Sequence, residues 1–312
     1  MRAVVFRHGE VAVEERPDPV PGAGELLIGV RAAGLNGADM LQLAGRYPPP
    51  AGVPADIPGL ELAGEVLAAG PGASRFSAGD RVMGITAGAG QAELAVLHER
   101  LLMPVPDQLD WAQAGGFPEA FTTAHDALFS QAGLRIGERL LVHGAAGGVG
   151  TAAVQLGRAA GAQVAATVRG HDQRRQVAAL GATVLDPEEF ADEGPFDVIL
   201  ELVGAVNMAA NLRALRTGGR ITVIGIGAGA DASLNLGLLM ARRARICGST
   251  LRVRPLEEKA LAARAVEREL LPLVSAERLE VPLAGVFPIG AAADAYRRFA
   301  AGGKFGKVVL KV

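Results

Sequence analysis

Apolar and polar positions follow two different rhythms along this chain, and the change between them comes near Trp111. Before it, short apolar or alternating runs succeed one another: RAVVFR, VAVEE, ELLIGVRAAG, LELAGEVLAAG, DRVMGIT and QAELAVL. Clusters of proline and glycine (PDPVPGAG, PPPAGVPADIPG, GPGASRFSAGD) separate them. Such runs between turn-forming residues predict short strands. Strands at this spacing suggest a small barrel or sandwich and not a parallel sheet. Gly37 to Arg46 predicts one helical turn among them.

After Trp111, alanine-rich helical segments alternate with apolar strands. Strands are expected at Arg139–His143, Gln163–Val168, Ala182–Leu185, Phe196–Leu202, in RITVIGIG and in ARICGSTL, with helices between them. NMAANLRALRTGG reads as a helix stopped by its glycines, and LEEKALAARAVERELLPLV as one long helix. Six strands with helical connections are the complement of a doubly wound nucleotide-binding sheet. The strands VPLAGVF and GKVVLKV, with GAAADAYRRFAA between them, lie beyond that sheet and are expected to return to the β-rich part.

The segment 139–168 carries the most specific pattern: strand, glycine-rich turn, helix, strand, at about the 30-residue length of a βαβ unit. Its turn, Gly144-Ala145-Ala146-Gly147-Gly148-Val149-Gly150, gives A-x-G-x-x-G from Ala145 to Gly150, so the first glycine of the dinucleotide fingerprint is missing. Gly147 would let the backbone approach a pyrophosphate, and Gly150 would let the helix lie close to the strand. The helix amino terminus would face the phosphates with free N–H groups and its positive end. An NAD site places Asp or Glu about 20 residues beyond the glycines. Here the second strand runs into Val168-Arg169-Gly170, with Arg174 and Arg175 following and no carboxylate at the strand end. Guanidinium groups suit the 2′-phosphate of NADP. The expected cofactor is therefore NADPH, held by Ala146, Gly147, Gly148, Val149, Arg169 and Arg174.

Composition narrows the class. At 312 residues, two domains are the prior. A net charge of −2 gives no electrostatic reason to expect nucleic acid. One cysteine, Cys247, excludes an intramolecular disulfide and a cysteine-built zinc cage. No apolar run reaches membrane-spanning length, and the amino terminus meets charge too soon for a signal peptide. A cytoplasmic protein with no membrane partner is expected.

The strings GLNGADMLQLAGRYPPP, PGLELAGEV, PEAFTTAHDAL, VHGAAGGVGTAAVQLGRAAGA, FDVILELVG and FGKVVLKV resemble the zinc-free NADPH:quinone oxidoreductases (zeta-crystallin-like) of the medium-chain dehydrogenase/reductase superfamily. The resemblance spans essentially the whole chain. It implies an α/β fold in which a doubly wound Rossmann domain is inserted into a chaperonin-10-like β-barrel domain. The expected limits are 1–118 plus 261–312 for the barrel (substrate) domain and 119–260 for the Rossmann domain. It also implies that Asn36 and Thr123 border the nicotinamide, that Ile224, Gly225 and Phe305 line the cofactor channel, and that Tyr47 reaches the substrate. From the residues alone, Tyr47 reads equally as an aromatic packed beside Pro48–Pro50. Homodimers pairing the edge strand near Ala244–Leu251 are a further implication.

The same motifs mark absences. Zinc-dependent relatives carry cysteine where Asn36 stands and histidine where Leu60 stands, so no metal site is expected. The five histidines show no ligand spacing, and Tyr296 is followed by Ala300, so there is no Tyr-x-x-x-Lys pair. Two departures bear on selectivity: Gln173 stands where NADP-selective relatives often carry lysine, and a tyrosine near Pro187 is missing. Gln91 replaces a common aromatic, which suggests a more polar substrate cleft. What is left is metal-free hydride transfer from NADPH to a quinone, with Asn36 and Tyr47 as the catalytic candidates. Two alternatives stand beside it: reduction of the C=C bond of an enone or enoyl thioester, with Tyr47 as proton donor, and an NADPH-binding sensor or structural protein with little turnover.

Overall fold

The computed structural model describes all 312 residues. The chain divides into two compact units. The first comprises Met1–Thr122, Leu251–Gly302 and Lys307–Val312; the second comprises Thr123–Thr250 and Gly303–Gly306.

The first unit opens with an antiparallel hairpin, β1 (Arg2–Arg7) and β2 (Glu10–Glu15). It continues through β3 (Glu25–Gly34), α1 (Gly37–Leu43), β4 (Glu61–Ala69), β5 (Arg81–Ile85), β6 (Leu94–His98) and β7 (Leu102–Pro104) to α2 (Trp111–Gly116) and α3 (Pro118–His125), the helix that leads into the second unit. Strand β3 alternates buried and half-buried positions, as the HPHP pattern of ELLIGV demands. It pairs with β4 along one side, and with β6 and then the final strand along the other. Leu26, Ile28, Leu62, Val66 and Leu97 close the core of this curved sheet. On α2, the only tryptophan, Trp111, carries the Arg81 guanidinium 4.6 Å over its ring.

The second unit holds six parallel strands: β8 (Arg139–Val142), β9 (Gln163–Thr167), β10 (Thr183–Leu185), β11 (Phe196–Glu201), β12 (Leu215–Val223) and β13 (Arg245–Gly248). Their order is β10-β9-β8-β11-β12-β13, so the order reverses at β8. The crossovers include α4 (Gly148–Ala159), α5 (His171–Ala179), α6 (Met208–Ala214) and α7 (Leu236–Arg242). This is the doubly wound Rossmann sheet expected from the sequence. The expected helix over NMAANLRALRTGG stops at Ala214, however, and LRTGG begins β12 instead. Gly218, at φ 80°, lets the strand fold a bulge, and the pairing with β11 jumps from Phe196↔Leu215 to Val198↔Arg220.

The chain then returns to the first unit. The long expected helix is two, α8 (Leu256–Glu269) and α9 (Leu271–Ser275), because Pro272 cannot continue the hydrogen-bond ladder. Strand β14 (Leu283–Pro288), α10 (Ala292–Ala300) and β15 (Lys307–Lys311) follow, and β15 pairs antiparallel with β3. The return of the last two strands is thus observed, and with it the insertion of a Rossmann unit into a chaperonin-10-like one. No helix is long and apolar enough to cross a membrane.

Candidate functional site

In the second unit the strands are parallel, so the turns after β8, β9, β11 and β12 leave the sheet at one common edge. The glycine-rich turn follows β8, where the strand order reverses, which is where open α/β sheets take ligands. The missing first glycine is supplied one residue earlier: Gly144 sits at φ 61° and makes the tight turn, while Ala145 is fully buried. A Cβ on Gly150 would stand 2.6 Å from the Ala145 Cα, so only glycine lets α4 pack there. Gly147 differs. Its φ is −77°, and a Cβ there would find a single neighbour, the Gly144 carbonyl oxygen at 3.6 Å. Nothing in the protein requires glycine at this position. The space in front of it is open, and α4 starts immediately after it with no side chain capping its free N–H groups. That cradle fits a pyrophosphate.

Other expected cofactor residues gather at the same edge. Gly306 donates its N–H to the Ala146 carbonyl at 2.9 Å and forms a bridge to Gly147, which brings the Phe305 segment alongside the turn. Ile224 and Gly225 follow β12, their N–H groups donating to the Glu201 carbonyl at 2.9 and 3.0 Å. A Cβ on Gly225 would collide with the Leu202 backbone. Arg169 follows β9 and is exposed. Arg174 is engaged elsewhere: its guanidinium meets Asp186 at 3.2 Å. Gln173, noted only as the wrong residue for a phosphate contact, donates to the Gly303 carbonyl at 2.6 Å. Thr123 is buried at the very start of this unit.

Beneath these turns runs a buried polar chain that motif reading did not reveal. Thr167 Oγ1 meets His143 Nδ1 at 2.9 Å, and His143 Nε2 meets Asn211 Oδ1 at 2.8 Å. Asn211 Nδ2 donates to Glu201 Oε2, while Glu201 Oε1 accepts the N–H groups of Val203 and Gly204. Asn211 has spent its amino group on Glu201, so its oxygen must accept, and His143 carries its proton on Nε2. Burial holds His143 below the ordinary imidazole range, so it is neutral.

In the first unit, Asn36 caps α1 and is fixed on every side. Lys307 Nζ donates to its Oδ1 at 2.6 Å, and its Nδ2 donates to Glu61 Oε1 at 3.0 Å and to the Gly34 carbonyl at 3.4 Å. Lys307 and Glu61 form a buried ion pair at 2.5 Å, and Glu61 Oε2 accepts the Glu119 N–H. Asp39, fully buried, accepts from the backbone N–H groups of Asn36 and Gly59. Gln91 spans Asp39 and the Tyr296 hydroxyl and is itself fully buried, in the core of this unit. Tyr47 is half-buried in the irregular proline-rich segment after α1, with the Arg252 guanidinium 5.0 Å over its ring. A zinc ion does not fit here. Leu60 offers no donor, the Asn36 amide is committed, and an ammonium already neutralises Glu61. No cluster of three or more His, Cys, Asp or Glu side chains has metal-holding geometry.

Comparison with known proteins places this architecture. Residues 22–130 match the family model for the alcohol dehydrogenase GroES-like domain, and residues 148–267 match the model called zinc-binding dehydrogenase. Human quinone oxidoreductase is 32% identical over 327 aligned positions, covering 99% of this chain and 97% of that protein. Erythronolide synthase EryA2 of Saccharopolyspora erythraea is 47% identical over 184 residues, 58% of this chain, which spans only 5% of that synthase. Among solved structures, the mycobacterial protein Rv1454c complexed with NADPH superposes with a TM-score of 0.90 at 28% identity, over 100% of both chains. The quinone oxidoreductase of Pseudomonas syringae pv. Tomato DC3000 superposes at 0.89 with 26% identity, over 100% of this chain and 99% of that one. The chain belongs to the quinone oxidoreductase (zeta-crystallin-like) family of the medium-chain dehydrogenase/reductase superfamily.

Proposed function

We propose that this protein is a zinc-independent, NADPH-dependent reductase of quinones. The observation that carries the reading is the open cradle at Gly147: a position kept free of side chain where the protein itself makes no use of the space. When bound, NADPH supplies the hydride and the protein supplies position and polarity. Gly147, Gly148 and Val149, at the start of α4, hold the pyrophosphate. Arg169, exposed at the end of β9 where no carboxylate stands, takes the 2′-phosphate. Arg174, tied to Asp186, contributes only if that pair opens. In the first unit, Lys307 and Glu61 hold the Asn36 amide from both sides, so Asn36 is a rigid group rather than a mobile donor, and the family resemblance assigns it to the nicotinamide. A quinone needs no protein acid, because its reduced oxygens take protons from water.

Tyr47 favours a second reading. A half-exposed phenol is a suitable proton donor to the α-carbon of an enone or enoyl thioester. Steady-state NADPH oxidation with 1,4-benzoquinone, 9,10-phenanthrenequinone and a crotonyl thioester decides between them. Turnover with both quinones and none with the thioester is expected. Turnover with the thioester alone would replace the first reading by the second. NADPH binding with no turnover on any acceptor would leave a binding protein. The edge position of β13 and the exposed Leu236 and Met240, four residues apart on α7, support a homodimer formed along that edge. A cytoplasmic location accords with the single cysteine.

A further inference from the structure

Arg252 is the first charged residue after the chain re-enters the first unit, and it is 5% exposed. Its Nε donates to the Ala87 carbonyl at 2.7 Å, Nη1 to the Tyr47 carbonyl at 2.9 Å and Nη2 to Gln42 Oε1 at 2.6 Å. Gln42 in turn donates to the Ala55 carbonyl at 3.1 Å. One guanidinium thus gathers the end of α1, the segment containing Tyr47 and the turn after β5. That segment, residues 46–58, has no helix or strand of its own, so these bonds set where Tyr47 stands.

Every one of those acceptors is neutral. A buried cation normally has a carboxylate partner, because desolvation is costly and neutral dipoles offset it only in part. Burial lowers the proton affinity of Arg252, yet a guanidinium stays charged throughout the physiological range. No carboxylate is hydrogen-bonded to it, although the charges of Asp39 and Glu119 reach it through space. The Tyr47 ring, in a half-buried residue, carries this charge 5.0 Å over its face.

We propose that Arg252 is a positioning and charge-selecting residue of the acceptor site. It fixes Tyr47, and its charge favours acceptors whose oxygen carries, or on reduction acquires, a negative charge. The inference rests on Tyr47 belonging to the acceptor side, as read above. The chemistry gives the charge a role. Hydride addition to a quinone forms one bond to hydrogen and leaves one oxygen as a hydroquinonate anion. The donor departs as NADP+, and a proton from water completes the hydroquinone. A nearby cation that no carboxylate binds directly stabilises that anion more than it stabilises the neutral quinone.

The test uses equilibrium binding as well as turnover. The ligand 2-hydroxy-1,4-naphthoquinone is an anion at neutral pH, and its 2-methoxy ether is neutral and nearly the same shape. Calorimetry gives the affinity ratio of the pair for the wild type, Arg252→Lys, Arg252→Gln and Tyr47→Phe, with melting temperatures alongside. Lysine keeps the charge and loses the fork, whereas glutamine keeps polar atoms and loses the charge, so destabilisation common to both cancels in their comparison. The expected result is a preference for the anion that Arg252→Lys retains and Arg252→Gln lowers about tenfold. With 1,4-benzoquinone, kcat should fall in Arg252→Gln while the KM for NADPH stays unchanged. An unchanged ratio in Arg252→Gln overturns the proposal. If Tyr47→Phe nevertheless alters acceptor binding, the assignment of Tyr47 stands and only the role of Arg252 falls. If Tyr47→Phe and Arg252→Gln both leave acceptor binding untouched, the assignment of Tyr47 falls as well.

Discussion

Gly147 and Gly150 lie three residues apart in one turn, and their reasons for being glycine are opposite. Gly150→Ala places a methyl group 2.6 Å from backbone and should destabilise the second unit itself, visible as a lowered melting temperature. Gly147→Val should leave melting unchanged and abolish NADPH binding by calorimetry, because only the ligand needs that space. The arginines separate in the same way. Arg169→Ala should raise the KM for NADPH with little effect on NADH, by about tenfold to a hundredfold if one charge-assisted contact is lost. Arg174→Ala should cost less, since its guanidinium already faces Asp186. The fingerprint made the glycines legible from the sequence. It could not show that Arg174 has a carboxylate partner twelve residues on, because that pairing depends on how α5 meets the end of β10.

Among the elements, apolar rhythm located the strands of both units, and it failed where one residue broke a pattern. LRTGG looked like the end of a helix because glycines usually stop one; the same glycines here bulge a strand. The Lys307–Glu61 pair joins β15 to β4 across most of the chain length, and neither residue shows its partner in sequence. Lys307→Met should destabilise the first unit by about 3–5 kcal/mol in denaturant titrations, because it leaves a carboxylate buried and unpaired. Replacing Glu61 by glutamine in the same chain should recover part of that loss. Asp39, on α1, gives a pH signature. Burial pushes its carboxyl up to about 6 from 3.8, so the folded chain holds a proton that the unfolded chain has already released. Its favourable contribution is full below the unfolded value and is lost as pH rises through about 6, an effect of about 3 kcal/mol. Relative to Asp39→Asn, the wild type should therefore gain stability as pH falls from about 7 to about 4.5.

At the scale of the whole molecule, the sequence led to the expectation that strands beyond a complete sheet return to the first unit, and β15 pairing with β3 is that return. That Asn36 is a poor metal ligand and Leu60 none was also legible. What fills their place was not, because the ammonium comes from the last strand. Dialysis against a strong chelator should leave both melting temperature and quinone reduction unchanged. Loss of both, restored by zinc, would show a metal site that the Asn36–Glu61–Lys307 cluster gives no room for. The single tryptophan on α2 has a practical consequence. Tyr47 and Tyr296 also lie in the first unit, so every indole and phenol of the chain belongs to it and none to the inserted sheet. Tryptophan and tyrosine fluorescence, with the dichroism bands of those two residue types, will follow the melting of the discontinuous unit alone, while far-ultraviolet dichroism follows both. Any gap between the two curves will measure how far one unit can unfold while the other stands.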